Sequence, residues 1–174
     1  TSNVEGTYIV NENELIEKEI VSGVSYNINE SKITISGIPD EPGISARIFA
    51  LMARNNINVD MIVQNISQDG ISANMTFTVP LKDQDLVKKI IDNSKSQIKY
   101  NSLSIDDKIT KISVVGMGMM SQTGVAAKMF ETLAKNNINI LAISTSEIKI
   151  SVLIEKKYTE LAVQSLHSVY KLDK

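Results

Sequence analysis

No cysteine occurs in the chain, so no disulfide framework, thiol nucleophile or thiolate metal site is available to it. That composition fits a reducing cytoplasm. Tryptophan is absent too, and aromatics make up 5% of residues. A sheet that stacks nucleic-acid bases needs aromatic platforms, and the strands offer only Tyr26, Phe77 and Tyr100. The single histidine, His167, falls on the last helix with no ligand partner near it in sequence. It reads as a surface or interface residue, and no metal site is in view. A net charge of -2 lacks the basic excess expected of a binder of nucleic acid or acidic membrane. No apolar run approaches the roughly 20 residues of a membrane span. Walker loop, nucleophile elbow and Ser/His/Asp set are all missing, so the chain by itself reads as non-catalytic. The start, Thr1-Ser2-Asn3, shows neither an initiator methionine nor a signal-peptide pattern, and a piece of a longer protein is expected.

What the chain does contain is a repeat. Ile38-Pro39-Asp40-Glu41-Pro42-Gly43-Ile44 opens a helix that carries Phe49 and ends at Asn55-Asn56-Ile57-Asn58. Thr123-Gly124-Val125 opens a second helix that carries Phe130 and ends at Asn136-Asn137-Ile138-Asn139. Internal self-similarity of this kind marks two copies of one supersecondary unit. Two modules of about 75 residues each are marginal alone, because a short chain buries a small fraction of its surface. The copies are therefore expected to dock together or to dimerise. Composition is otherwise that of an ordinary globular protein, 43% hydrophobic and 22% charged.

Residues 1–19 read as a lead-in, and Ile20 to Asn27, rich in β-branched residues, as a strand. Module one then alternates apolar and polar residues over Lys32 to Gly37. Its helix carries Ile44, Ile48, Leu51 and Met52 as one apolar stripe. Strands are expected over Asn58 to Ile66 and Ala73 to Val79, joined by a turn at Gln68-Asp69-Gly70. A second helix over Asp83 to Ser94 and a strand over Ile98 to Ile105 complete β-α-β-β-α-β, the ferredoxin-like order. Module two repeats it over Lys111–Gly116, Val125–Ala134, Asn139–Ser146, Ile148–Ile154 and Tyr158–Tyr170, without a last strand. The unpaired strand Ile20 to Asn27 can supply it, which predicts that module one is inserted into module two.

Several polar groups carry two readings each. The loop Pro39 to Gly43 is either an acidic turn with ordinary helix-start residues or a pocket for a zwitterion. In the second reading helix-start amides take a carboxylate, Gly43 allows close approach, and Asp40 takes an ammonium. Ser121, Thr123 and Gly124 pose the same choice in module two. Asp60, Gln64 and Asn65 in one strand, and Ser144, Thr145, Ser146 and Glu147 in its counterpart, either meet a ligand or lie on an exposed strand face. Gly116-Met117-Gly118-Met119-Met120-Ser121 half-matches a dinucleotide fingerprint. Its third glycine is replaced by Ser121 and no acidic residue follows at the required distance, so the methionines read as core or interface fillers.

The chain resembles the C-terminal regulatory region of aspartate kinase, built from two ACT domains. The resemblance is carried by Gly6-Thr7-Tyr8-Ile9-Val10, Val21-Ser22-Gly23-Val24, Ile33 to Gly43, Asn58 to Asn65 and, most specifically, Ile143-Ser144-Thr145-Ser146-Glu147-Ile148-Lys149-Ile150-Ser151-Val152-Leu153-Ile154. It implies an α+β fold of two ferredoxin-like ACT domains side by side, the first (31–107) inserted into the second (20–30 plus 108–174). It implies a feedback sensor for lysine and/or threonine in a homodimer, attached to a catalytic domain that phosphorylates aspartate with ATP and Mg, with no cofactor in this chain. One effector site is implied at Asp40, Gly43, Ile44, Ser45, Asn58, Val59, Asp60 and Gln64. The other is implied at Met120, Ser121, Thr123, Gly124, Val125, Ile140, Ser146 and Glu147, where Glu147 suits a lysine ammonium. Ser45 stands where alanine is common and the loop Ser67 to Gly70 is short, which bears on the effector the first site accepts. Alternatives are an ACT pair of another amino-acid enzyme, an RNA-binding module and an independent enzyme.

Overall fold

The structure is a computed structural model that describes residues 20–67, 70–117 and 123–172. Module one comprises β2 (Glu30–Pro39), α1 (Ile44–Arg54), β3 (Ile62–Ile66), β4 (Ser72–Pro80), α2 (Gln84–Asn93), α3 (Lys95–Ile98) and β5 (Ser102–Asp106). Module two comprises β6 (Ile109–Val115), α4 (Val125–Lys135), β7 (Ala142–Thr145), β8 (Lys149–Glu155) and α5 (Thr159–Tyr170). One further strand, β1 (Gly23–Asn27), lies antiparallel beside β6, with Gly23 opposite Val115 and Asn27 opposite Lys111. The two antiparallel sheets run in the orders β3-β4-β2-β5 and β1-β6-β8-β7. The fold is α+β, a ferredoxin-like repeat.

Each sheet buries one face under its helices. In module one Ile33 and Ile35 point inward by simple alternation, and the next inward residue is Ile38 rather than residue 37. The register against β4 shifts between Ser36 and Ile38, a bulge that resets the alternation by one. Gly37 makes the bulge possible, with φ at 70° and no room for a Cβ, which would meet the Asn101 side chain at 2.2 Å. Ile44, Ile48 and Met52 of α1 and Val87 and Ile91 of α2 close that core, and Phe49 packs edge-on to Phe77 at 5.5 Å. In module two Val125, Met129 and Leu133 of α4 and Ala162 and Leu166 of α5 play the corresponding parts.

The repeated Asn-Asn-Ile run has a physical reason. Asn55 and Asn136 cap the C-termini of α1 and α4, each donating its side-chain amide to a carbonyl four residues back, on Leu51 and Thr132, at 2.8 Å. Asn56 and Asn137 then turn left-handed, each at φ 55°, a conformation asparagine tolerates better than most residues. That turn sends the N–H of Ile57 to the Met52 carbonyl and that of Ile138 to the Leu133 carbonyl, and buries both isoleucines.

The structure departs from the expected elements in several places, the first being β1, which begins at Gly23 rather than Ile20. The strand expected from Ile98 begins at Ser102, because Ile98 ends α3 and Lys99 is left-handed at φ 55°. This detour buries Ile98 and Tyr100, and the Tyr100 hydroxyl donates to Asp92 at 2.9 Å. Both edge strands are also shorter than expected, β3 starting at Ile62 and β7 at Ala142. Finally, Met117 is 79% exposed and does not fill the core. Gly116 lies so close to the Ile20 carbonyl that a Cβ there would sit 2.1 Å from it, so the position has no room for a side chain. The other methionines of that run, Met119 and Met120, and residues 1–19 lie outside the described residues.

The modules meet through their strand-start ends. Met61 of module one packs with Ile109 and Leu153 of module two, flanked by Leu141 and Ala142. Beside this small apolar cluster, Lys111 of β6 forms ion pairs with Glu30 at the start of β2 and with Asp60 just before β3.

Candidate functional site

In both modules the helix after the first inner strand starts at a glycine. Gly43 and Gly124 are the N-caps of α1 and α4, both at φ 94° with ψ near zero. A left-handed N-cap requires glycine, and glycine brings no oxygen to cap the first-turn amides. Among the described residues, nothing lies within 4 Å of where a Cβ would stand on either glycine. Each helix start thus has first-turn amides without a side-chain cap at the positive end of a helix dipole, suited to a carboxylate, with the Ile44 N–H donating to the Glu41 carbonyl at 3.4 Å.

Around Gly43 the structure gathers Asp40, Ile44, Ser45 and Gln64. The Ser45 hydroxyl donates to the Gln64 side-chain oxygen at 2.9 Å, tying the start of α1 to β3. Asp40 is exposed and anchored by its N–H on the Ile71 carbonyl at 3.0 Å. Glu41 pairs with Arg47 at 3.1 Å across the loop.

The remaining residues of the first set stand elsewhere. Asp60 donates its N–H to the Thr78 carbonyl at 3.0 Å. Thr78 and Ile71 are seven residue steps apart along the chain of β4, roughly 24 Å at the rise of an extended strand. Asn58, Val59 and Asp60 therefore lie at the opposite end of module one from Asp40 and Gly43. The cause is the β-α-β crossover: a helix leaves one end of the sheet and delivers the chain to the other. At that end Asn58 and Asp60 line a polar cavity of about 240 Å³ with Glu30, Thr78 and Lys111. Burial pulls the Lys111 ammonium down, but its hydrogen bonds with Asp60 and Glu30 outweigh this, and its pKa is raised.

Module two repeats the division. The β7–β8 turn lies at the helix-start end, where the Gly116 N–H meets the Ile148 carbonyl at 2.9 Å. Ser146 closes that turn through its N–H on the Lys149 carbonyl at 2.8 Å, and Glu147 is exposed beside it. Thr123, Gly124, Val125, Ser146 and Glu147 thus share one end. Ile140 packs against the core at the other end, next to the bond between Leu141 and Leu153. Met120 and Ser121 lie outside the described residues. Composition alone did not point to Glu30, Lys111 or Thr78; their one sequence signal is a charged or hydroxyl residue at an otherwise β-branched strand.

β3 and β7 are outer strands of their sheets, and they are unusually apolar toward solvent. Ile62, Ile66 and Ile71 beside β3, and Ile143 and Ile148 beside β7, are all exposed. Among the described residues no cluster of three His, Cys, Asp or Glu side chains forms a metal-binding group, and no helix is long and apolar enough to cross a membrane.

Comparison with known proteins matches the ACT domain twice, over residues 33–93 and 112–170. An aspartate kinase of Pseudomonas fluorescens is 48% identical over 169 residues, covering 97% of this chain and 41% of that protein. This chain thus spans less than half the length of such relatives. Among solved structures, the aspartokinase alpha and beta subunits superpose with a TM-score of 0.81 at 44% identity, covering 87% of this chain and 99% of that one. The ligand-free regulatory subunit of aspartate kinase from Thermus thermophilus gives a TM-score of 0.81 at 34% identity, covering 87% and 99%. The twin glycine-capped helices and the two four-stranded sheets are therefore those of the ACT-domain family, to which this chain belongs as the tandem pair found in the regulatory part of aspartate kinases.

Proposed function

We propose that the chain senses lysine and/or threonine and, with the kinase domain, provides feedback inhibition of aspartate phosphorylation in the cytoplasm. The catalytic domain would supply the ATP and Mg site; none of that chemistry is assigned to this chain. The observation that carries the reading is the pair of open, glycine-capped helix starts, each beside an outer strand with polar side chains. Amides at such a start hold an amino-acid carboxylate, Asp40 or Glu147 takes an ammonium, and Ser45, Gln64 and Ser146 discriminate among side chains.

The same geometry favours a homodimer. Pairing an outer strand antiparallel with its counterpart in a second copy would cover the exposed isoleucines. It would also bring the start of one β3 toward the α1 start of the other copy, uniting the two halves that stand roughly 24 Å apart within one chain. An effector bridging two chains then favours one dimer arrangement, and a differential affinity worth about 1–3 kcal/mol is enough to bias the attached kinase domain.

Titration calorimetry with lysine, with threonine, and with each in the presence of the other tests this. Saturable binding of either supports the sensor reading, and mutual enhancement indicates coupled sites. Absence of binding by both at millimolar concentration would overturn the effector assignment and favour an ACT pair serving another amino-acid enzyme.

A further inference from the structure

Three charged side chains meet at the module junction, and they are not equivalent. Lys111 of module two, its side chain 12% exposed, pairs with both Glu30 and Asp60 of module one. Glu30 is withdrawn: one oxygen accepts from Lys111 and from the Asn27 amide at 2.8 Å, and the other is buried out of a ligand's reach. Asp60 is 45% exposed in its side chain and stands with Asn58 in the wall of the cavity of about 240 Å³. One carboxylate is enough to neutralise Lys111, and the buried one does so. Asp60 is the surplus charge, able to turn to a second cation without stranding the ammonium.

These residues also adjoin the apolar contact between the modules. Asp60 and Met61 are held on β4 through Thr78, the Asp60 N–H on the Thr78 carbonyl and the Thr78 N–H on the Met61 carbonyl, both at 3.0 Å. Lys111 stands opposite Leu153 on neighbouring strands of module two, so the two project from one face of that sheet. Asp60 meets the first of this pair and Met61 packs with the second. A change of partner at Asp60 therefore acts directly beside the contact that joins the modules.

We propose that Lys111 is a positioning residue that sets the affinity of the effector site at Asp60. An effector ammonium, held by Asp40 at a helix start, also reaches Asp60 of the facing copy and draws it from Lys111. Glu30 keeps Lys111 neutralised, and one of its two ion pairs across the modules is released. This rests on the reading of the chain as an amino-acid sensor with Asp60 in its first site, and adds the direction of coupling. Whatever holds Asp60 on Lys111 opposes the effector, and the effector disfavours that ion pair by the same factor. Two changes that leave Asp60 untouched should then act in opposite senses. Glu30→Gln removes the partner on which Lys111 falls back, so Asp60 is held harder and binding weakens. Glu30→Gln together with Lys111→Met removes the competitor, so binding tightens beyond that of the original protein.

Titration calorimetry with lysine and with threonine on this chain, on Glu30→Gln and on the double variant is the test, with thermal melting to establish that each is folded. A half-exposed ion pair is worth up to about fivefold in a binding constant, and shifts of roughly three- to fivefold in each direction are expected. With Asp60→Asn added to both variants, the Lys111→Met step should give no tightening. Damaged packing would weaken binding in both variants, so the opposite signs are a readout that a structural role does not produce. Binding by the original protein with unchanged affinity in both variants, shifts of one sign, or tightening that persists with Asp60→Asn overturns the role of Lys111 and leaves the sensor reading standing. Absence of binding of either amino acid to the original protein overturns the sensor reading, and the role of Lys111 with it.

Discussion

Replacing Lys111 by methionine isolates the junction's electrostatics, because methionine keeps most of the side-chain volume and removes the charge. Glu30 would then be a buried carboxylate held by the Asn27 amide alone. Breaking a buried pair by deleting one partner costs about 3–5 kcal/mol, most of it the charge left behind. The low end applies here, because the Asn27 amide still holds the carboxylate. Asp60 is 45% exposed in its side chain, so its share of the pairing is that of a surface bridge, about 1 kcal/mol or less. Lys111→Met is therefore expected to lose about 3 kcal/mol in urea denaturation, with the slope m unchanged. Adding Glu30→Gln to it removes the stranded charge, and the double variant should recover to within about 1 kcal/mol of the original protein. A single-variant loss below about 1 kcal/mol, or a double variant weaker than the single, would refute the argument that a buried Glu30 depends on Lys111.

At alkaline pH three groups act in one direction. Burial, and for Tyr100 also the bond to Asp92, pushes Tyr100 and Tyr170 up to about 12, and Lys111 is raised above its ordinary 10.5. A group whose pKa is raised on folding lends stability that is whole below its unfolded value and is lost as pH climbs through the folded one. Melting temperature should thus hold to pH 10 and fall between pH 10 and 12, with late phenolate absorbance marking the two tyrosines; Tyr100→Phe should remove part of that fall. Gly37→Ala should cost about 1–3 kcal/mol, read by thermal melting, because it forces a side chain into positive φ and against Asn101. Asp40→Ala and Glu147→Ala, both on exposed side chains, should leave Tm within about 2 °C and weaken effector binding at least about tenfold by calorimetry. Unchanged affinity in both would remove these carboxylates from the sites.

The repeat, the element order and the cores were legible before any coordinates. Periodicity named Ile44, Ile48, Leu51 and Met52, and Val125, Met129 and Leu133; the structure buries all of these but Leu51, which is partly buried against the core. Local chemistry sufficed for the Asn-Asn-Ile stops and the glycine starts, since both depend on backbone conformations that few residues accept. The resemblance pointed to the ACT pair, and the comparisons show it. It could not say how the site residues are distributed along each module, because sequence neighbours such as Asn58 and Asp60 lie near Gly43 in the chain but across the sheet from it. Nor did periodicity expose the bulge at Gly37 or the short helix before β5, which answer to packing around Asn101 and Tyr100.

Sequence by itself determined what is local here: which segments are strands, which face of each helix is apolar, and where glycine and asparagine reverse the chain. Those features follow from side-chain spacing and backbone sterics within a few residues. Tertiary structure alone decided what joins at long range. Glu30, Asp60 and Lys111 meet only once β1 lies beside β6 and module one packs against module two. The physical reason is that burial and charge pairing act through space, and the partner of a lone carboxylate is set by which strands the fold lays side by side.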